Sequence, residues 1–230
     1  MLQPLKPQTL DQLIPAVPTS DQYAYYWGTQ QEVFRRVLAS VGFLVIFTIS
    51  YNRVHDSNPD SFAALVLFVL AALGGLYWML EPVVKASLRN STLRRYPYCA
   101  FWQTQVYDVY LSQEVRNRRE RVSNRGTIDI DYDAESFLNV ELEDETGFAM
   151  TLRVPMHRAY KRIQPGMTVC LLIFAQDRDF RRISRITSDA YVPKLNLWVG
   201  EYPYLRKDAF MDIARYLIKR SYDRQSSHRS

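Results

Sequence analysis

The sequence predicts a membrane α-helical hairpin of two transmembrane helices, followed by a small cytoplasmic antiparallel β-barrel or sandwich (OB- or SH3-like) closed by a C-terminal helix. Three observations predict this fold class. Residues 62–80 contain no charged residue and no proline, residues 97–186 contain β-rich runs separated by turn motifs, and residues 207–220 carry apolar side chains at helical spacing. The chain of 230 residues is long enough for a core, and its 47% hydrophobic and 23% charged residues exclude wholesale disorder and a collagen-like structure.

These patterns divide the chain into four predicted segments. Residues 1–34 form an N-terminal cytoplasmic segment, 35–82 the transmembrane hairpin, 96–220 the β-rich domain with its helix, and 221–230 a disordered tail.

The hairpin prediction depends on two apolar runs. Residues 62–80 have about the length that a hydrocarbon core of roughly 30 Å requires. Residues 37–52 are a shorter uncharged run, so spanning requires Arg36 and Arg53 to extend outward to the headgroups; a buried core helix is the alternative for this run. Residues 53–61 contain Asn, Pro, Asp and Ser and are typical of a short surface connection.

The flanking charges predict the orientation of the hairpin and its contact with lipid. Two basic residues lie before the first run (Arg35 and Arg36), and four lie after the second (Lys85, Arg89, Arg94 and Arg95). The connection between the runs contains one, Arg53. Both termini are therefore expected on the cytoplasmic or stromal side, with membrane lipids as partners. Ala71, Gly74 and Gly75 form a small-residue surface on which the first helix is expected to pack closely.

The β-rich domain is predicted from alternation and turns. The expected strands are 100–111, 137–143, 148–154, 167–174 and 181–186. Residues 144–147 (Asp-Glu-Thr-Gly) predict a hairpin turn with positive φ at Gly147, and residues 164–166 (Gln-Pro-Gly) predict a type II turn. Over 207–220, Phe210, Ile213, Ala214, Leu217 and Ile218 recur at helical spacing, which predicts one amphipathic helix that closes the domain.

Several residue groups were weighed for chemistry. Asp129, Asp131 and Asp133 imitate the start of a calcium loop, but Ala134 and Val140 replace the required Gly and Glu, so a strand with an acidic wet face is the expectation. The arginines of 116–125 would suit nucleic acid, but lipid headgroup contact or solvation explains the same charges more simply, so no nucleic acid is expected.

The remaining polar residues predict no catalytic or metal site. Cys99 and Cys170 belong to no metal motif, and His55, His157 and His228 have no ligand spacing. The sequence also lacks phosphate-loop, nucleophile-elbow and zinc-protease motifs. We therefore expect a protein that is not an enzyme, with no metal and no cofactor identified by its residues.

Five motifs stand out in the chain: residues 93–96 (Leu-Arg-Arg-Tyr), 106–110 (Val-Tyr-Asp-Val-Tyr), 144–148 (Asp-Glu-Thr-Gly-Phe), 163–166 (Ile-Gln-Pro-Gly) and 198–208 (Trp-Val-Gly-Glu-Tyr-Pro-Tyr-Leu-Arg-Lys-Asp). With these motifs the sequence resembles a family of cyanobacterial and plastid thylakoid membrane proteins that is often labelled phosphate ABC transporter permease-like. The transporter label conflicts with the sequence, because two short apolar helices without polar groups cannot build a transport site.

The resemblance implies a thylakoid auxiliary protein that serves as an assembly factor for photosystem II reaction-centre intermediates. Its implied partners are photosystem II core subunits and other assembly factors. Whether it binds chlorophyll or carotenoid stays open. The expected partner-binding residues are Tyr202, Pro203, Tyr204, Leu205 and Arg206, because aromatic and Arg clusters anchor interfaces. The alternative is that these tyrosines pack the closing helix onto the barrel. The alternative functions are an accessory subunit of a membrane transporter and a membrane-tethered nucleic-acid binder.

Overall fold

The computed structural model describes residues 2–58, 61–122 and 128–227, with backbone only for 116–122, 128–134 and 221–227. It divides the chain into two compact units. The β unit comprises Met1–Ile14 and Leu93–Ser230, and the helical unit comprises Pro15–Thr92. The structure therefore divides the predicted N-terminal segment 1–34, whose first part belongs with the β-rich domain.

The helical unit contains α2 (Ser20–Trp27), α3 (Gln30–Ser57), α4 (Phe62–Gly75) and most of α5 (Tyr77–Arg94). Both α2 and α3 begin with a capping box: Thr19 with Gln22, and Thr29 with Glu32. Among the described helices, α3 is long and apolar enough to cross a membrane by length and composition. The shorter apolar run, residues 37–52, thus lies in α3, which is longer than α4.

The second predicted span, 62–80, is not confirmed as one straight helix. It breaks at Leu76, and α4 and α5 are bent by 82° relative to each other. Gly74 and Gly75 precede the break, where glycine weakens helix continuity. Ser40 of α3 accepts a hydrogen bond from the Trp78 amide at 2.8 Å, which satisfies a donor in the first turn of α5.

Helix α4 packs against α3 through its glycines. A Cβ atom built on Gly74 would lie 2.8 Å from Phe43 Cβ, and one on Gly75 would lie 3.4 Å from Leu44 Cδ1. Ala71 is also buried. The structure therefore places both glycines at the α3–α4 contact, where only a small side chain lets the two backbones approach so closely.

The β unit is an antiparallel sheet with helices α1 (Pro7–Leu13) and α6 (Lys207–Ser227). The strands are β1 (Leu2–Pro4), β2 (Tyr98–Val122), β3 (Ile128–Glu143), β4 (Ala149–Pro155), β5 (Thr168–Ala175), β6 (Ile183–Ile186), β7 (Ala190–Val192) and β8 (Leu197–Val199). Their order is β4-β3-β2-β5-β7-β8, with β1 paired to β2 and β6 to β5. The antiparallel class of the domain is confirmed.

Both faces of the sheet are covered where β2 pairs with β5. One face forms a core that includes Trp102, Val140 and Leu171. On strands β2 and β5, the alternate side chains Phe101 and Leu172 are also fully buried, and the Phe101 ring lies 5.6 Å from the Phe210 ring of α6. Because successive side chains of β5 point to opposite faces and both faces are buried there, nearly all of its residues are apolar.

The local turns match the sequence predictions. Gly147 and Gly166 have φ of +80° and +81°, and the Met167 amide bonds to Gln164 O as a type II turn requires. Asp144 organises the first turn: burial alone would raise its pKa, but hydrogen bonds from Thr146 and Trp102 outweigh this and lower it to about 2.

Helix α6 continues past the predicted end at Arg220 to Ser227, because no Gly or Pro stops it; residues 228–230 lie outside the described part.

Candidate functional site

A cavity of about 690 Å³ lies in the helical unit where α2 ends, α3 begins and α5 passes. We call it the cationic pocket and define it by Tyr26, Arg35, Arg36, Tyr77, Glu81 and Lys85. Arg35 and Arg36 stand immediately before the apolar stretch of α3 that begins at Val37, and Tyr77 stands at the break between α4 and α5. The pocket therefore lies at the polar end of the apolar helix pair.

The turn between α2 and α3 positions this pocket. Gly28 adopts φ +70°, and a Cβ atom there would collide with the Glu32 carboxylate. The Glu32 Oε2 atom accepts the Thr29 amide at 2.7 Å and thereby completes the capping box of α3. This compact turn brings Trp27 next to the first turns of α3.

Arg36 is the central residue of the pocket, with a side chain only 8% exposed. Its Nε donates to Glu32 O at 3.3 Å and lies 3.5 Å from Glu81 Oε2, and its Nη2 donates to Trp27 O. The guanidinium also lies 5.4 Å from the centre of the Trp27 ring. Its Nη1 has no hydrogen-bond partner among the residues that the structure describes.

Glu81 balances part of this charge. Its second carboxylate oxygen lies 2.5 Å from Lys85 Nζ, one helical turn later. The pocket thus contains three cations and the two carboxylates of Glu32 and Glu81, both of which already accept bonds. The arrangement can bind an anion through guanidinium and ammonium donors.

In the β unit, the expected partner-binding segment surrounds a buried carboxyl group. Asp189 Oδ2 accepts the Leu205 amide at 2.7 Å, and Arg206 donates its amide to Leu13 O at 2.9 Å. Tyr202, Tyr204 and Leu205 are buried, Pro203 is half-buried and Arg206 is exposed. The burial of the tyrosines fits the alternative interpretation, in which they pack inside the domain, and partner binding stays a prediction.

Burial raises the pKa of Asp189 to about 7, although hydrogen bonds from the Leu205 and Tyr204 amides and the charge of Lys207 act in the opposite direction. The neighbouring backbone is also tightly packed, since a Cβ atom on Gly200 would lie 2.5 Å from Ser188 O. Asp189 is thus a fixed internal acceptor for the segment that leads into α6.

A surface on β2 forms a second candidate contact site. Beyond Val106, the described part of β2 pairs only with β3, so its other edge is open. Tyr107, Tyr110, Leu111 and Val115 are exposed along this stretch, with Tyr107 at 67%. We call these four residues the β2 ribbon surface.

Other residues singled out from the sequence do not converge. Burial raises the pKa of both Cys99 and Cys170 to about 12, and the register places them at separate positions of β2 and β5. No group of three metal-ligating side chains occurs within the described residues. The acidic run 129–133 and the arginines of 116–125 lie outside the part whose side chains are described.

Sequence reasoning noted Arg36 and Lys85 only as flanking charges and did not consider Glu81 or Asp189. Glu81 could have been noticed, because it is an acid directly after an apolar run and four residues before Lys85. Nothing in the sequence marks Asp189, whose neighbours Gly200 and Leu205 come from the segment after β8.

Within the described residues, the protein combines a helical unit, whose α3 is long and apolar enough to cross a membrane, with an antiparallel β unit. The chain belongs to a family described as "Family of unknown function (DUF8619)", whose model matches residues 3–224. No curated protein matches the chain. No solved structure matches it either.

Proposed function

We propose that this protein is a non-enzymatic membrane auxiliary protein that is anchored by the α3–α4 hairpin and binds a membrane-protein client. The observation that carries the proposal is the exposed apolar surface of α3 and α4. Phe34, Ile46, Phe62, Leu65 and Phe68 are all more than half exposed. Soluble monomers seldom expose contiguous apolar patches of this kind, and lipid or a client helix would cover them.

The lengths of the helices support insertion. Helix α3 has 28 residues, which is about 42 Å, and exceeds a hydrocarbon core of roughly 30 Å. Helix α4 has 14 residues, about 21 Å, so the return crossing requires residues from the bend or local thinning of the bilayer.

The connectivity of the chain supports two crossings rather than one. Strand β1, before the helical unit, pairs with β2, after it, with Leu2 opposite Trp102. Both ends of the helical unit therefore join the same folded β unit, which cannot lie on two sides of a bilayer. If α3 crosses the membrane, α4 and α5 must return the chain to the same side, which we propose is cytoplasmic or stromal.

The β2 ribbon surface is the proposed client contact. An open strand edge with exposed apolar side chains can pair with an extended segment of a partner, which gives backbone hydrogen bonds and side-chain burial together. Arg206 is proposed as an additional contact at the exposed end of the Asp189 segment. We further propose that the β unit is a small barrel of OB or SH3 type.

The resemblance of motifs 93–96, 106–110 and 198–208 supports a thylakoid location and a photosystem II reaction-centre intermediate as the client. The motif 106–110 falls in β2 and includes Tyr107 and Tyr110, two members of the β2 ribbon surface. An assembly factor acts through such surfaces, because it covers a region of the client that a permanent subunit later occupies.

The test is affinity purification of the tagged full chain from gently solubilised thylakoid membranes, with mass spectrometry of the eluate. We expect photosystem II core subunits and other assembly factors without a complete set of mature subunits. The double variant Tyr107→Ser, Leu111→Ser should lose these proteins. Tyr216→Ser, which changes a similarly exposed tyrosine on α6, is the matched control and should retain them.

Two results would contradict the proposal. Recovery of transporter subunits without photosystem proteins would favour the accessory-subunit function. Equal recovery of core subunits by the ribbon variant and by Tyr216→Ser would show that the β2 ribbon surface is not the contact.

A further inference from the structure

The unsatisfied donor in the cationic pocket points to a ligand. We propose that this pocket binds the anionic headgroup of a membrane lipid, with Arg36 Nη1, Arg35 and Lys85 as donors. Arg36 is more than nine-tenths buried, and its Nη1 lacks a partner among the described residues although Nε and Nη2 are bonded. A buried guanidinium nitrogen without an acceptor is costly, and an anionic oxygen in the cavity would satisfy it.

The charges in the pocket favour an anion. Glu32 is engaged by the Thr29 amide, and Glu81 lies between Arg36 and Lys85. The Lys85 side chain is 54% exposed and can reach both Glu81 and a ligand. Arg35 is exposed at the rim. The pocket therefore keeps one net positive charge and donors from two helices around a cavity of about 690 Å³, enough for a headgroup.

The position of the pocket favours a lipid over a soluble anion. The cavity opens where the exposed apolar surface of α3 begins, with Phe34 at 63% and Leu38 at 55% exposure. Trp27 and Trp78 pack at 5.8 Å beside it, as expected of aromatic side chains at the headgroup level. Basic pockets at this level between helices are known to bind anionic headgroups.

Native mass spectrometry of the detergent-purified full chain tests this inference, which rests on the membrane insertion in the proposed function. The chain is incubated with equal amounts of phosphatidylglycerol and phosphatidylcholine, and the retained lipid is counted. We expect preferential retention of phosphatidylglycerol in the original chain. In Arg36→Gln, that preference should fall about tenfold or more, since a hydrogen bond to a charged group is lost.

A second variant distinguishes loss of lipid binding from a folding defect in Arg36→Gln. Arg35→Gln, Lys85→Gln changes two exposed side chains and leaves the Arg36–Glu81 pair in place, and it should lower the preference as well. Arg53→Gln, at the opposite end of α3, is the matched charge control and should leave the preference unchanged.

Three outcomes would overturn the inference: equal retention of the two lipids by the original chain, an unchanged preference in both pocket variants, or displacement of phosphatidylglycerol by millimolar inorganic phosphate. Flotation with phosphatidylcholine vesicles separates this inference from the proposed function. A chain that does not float contradicts the membrane anchor itself, whereas a chain that floats but retains both lipids equally contradicts only the headgroup site.

Discussion

Asp189 makes the stability of the β unit depend on pH. Its pKa is about 7 in the folded chain against an ordinary value of 3.8, because burial disfavours the carboxylate. Between these values the folded state binds more protons than the unfolded state, so the free energy of unfolding decreases as the pH rises from about 4 to about 7. Asp189→Asn should remove this contribution to the pH dependence of the free energy of unfolding. Urea unfolding followed by tryptophan fluorescence across that window measures the change.

The control for this prediction is Asp179→Asn, which changes an exposed carboxylate and should leave the slope unaltered. Asp189→Ala provides a second comparison, since it removes the acceptor of the Leu205 amide and should cost about 1–3 kcal/mol even at low pH. A pH slope that survives in Asp189→Asn would show that another group titrates there.

Gly200 should not tolerate a side chain. A Cβ atom would lie 2.7 Å from Asp189 Cα and 2.5 Å from Ser188 O, and both atoms belong to the backbone. We expect Gly200→Ala to destabilise the β unit by about 1–3 kcal/mol or more, because the strand ends must separate. Thermal unfolding followed by near-ultraviolet circular dichroism measures the loss. Gly166→Ala is the comparison: its φ is +81° but its surroundings are open, so its cost should be limited to about 1–2 kcal/mol.

At the level of elements, the α3–α4 contact depends on Gly74. A Cβ atom at this position would lie 2.8 Å from Phe43 Cβ, so Gly74→Ala should push the helices apart. Gly42→Ala is the matched control, since a Cβ atom there meets nothing within 4 Å, and alanine favours the helix. Limited proteolysis in detergent should show faster cleavage of Gly74→Ala and unchanged or slower cleavage of Gly42→Ala. Equal rates would mean that the helices do not pack this closely.

Local signals explain which elements the sequence could predict. The turns at 144–147 and 164–166 were predictable from local sequence. Asp144 accepts the amide of Thr146, two residues later, and Gly147 and Gly166 adopt positive φ within the turns themselves. The bend at Leu76 was not, because the Ser40 hydroxyl that accepts the Trp78 amide comes from another helix. The pairing of β1 with β2 was missed for the same reason, since a three-residue strand has no periodicity of its own.

The same distinction applies to the candidate sites. Small residues at 71, 74 and 75 share one helix surface, so their packing role could be expected from spacing alone. The Arg36–Glu81 contact and the burial of Asp189 depend on residues far apart in the chain, and no local pattern encodes them. The sequence left Tyr202 and Tyr204 open between partner binding and internal packing, because composition cannot distinguish an aromatic anchor from an aromatic core residue, and both are buried.

For the whole molecule, the order of the segments constrains the membrane topology. The helical unit is inserted between residues 14 and 93 of the β unit, and the pairing of β1 with β2 closes that unit across the insertion. If α3 inserts into a membrane, as proposed above, the chain must enter and leave the membrane on one side. Two arrangements satisfy this condition: a hairpin that crosses twice, and a hairpin that enters one leaflet and returns.

Cysteine labelling in sealed vesicles separates these two arrangements. Burial raises the pKa of the native Cys99 and Cys170 thiols to about 12, so both should react slowly with a membrane-impermeant maleimide. New thiols are introduced by Asn58→Cys, at the end of α3, and by Glu201→Cys, at an exposed site of the β unit. A crossing hairpin predicts that the reagent labels the two positions from opposite sides. Labelling of both from the same side would contradict the crossing and would favour the hairpin that enters one leaflet and returns.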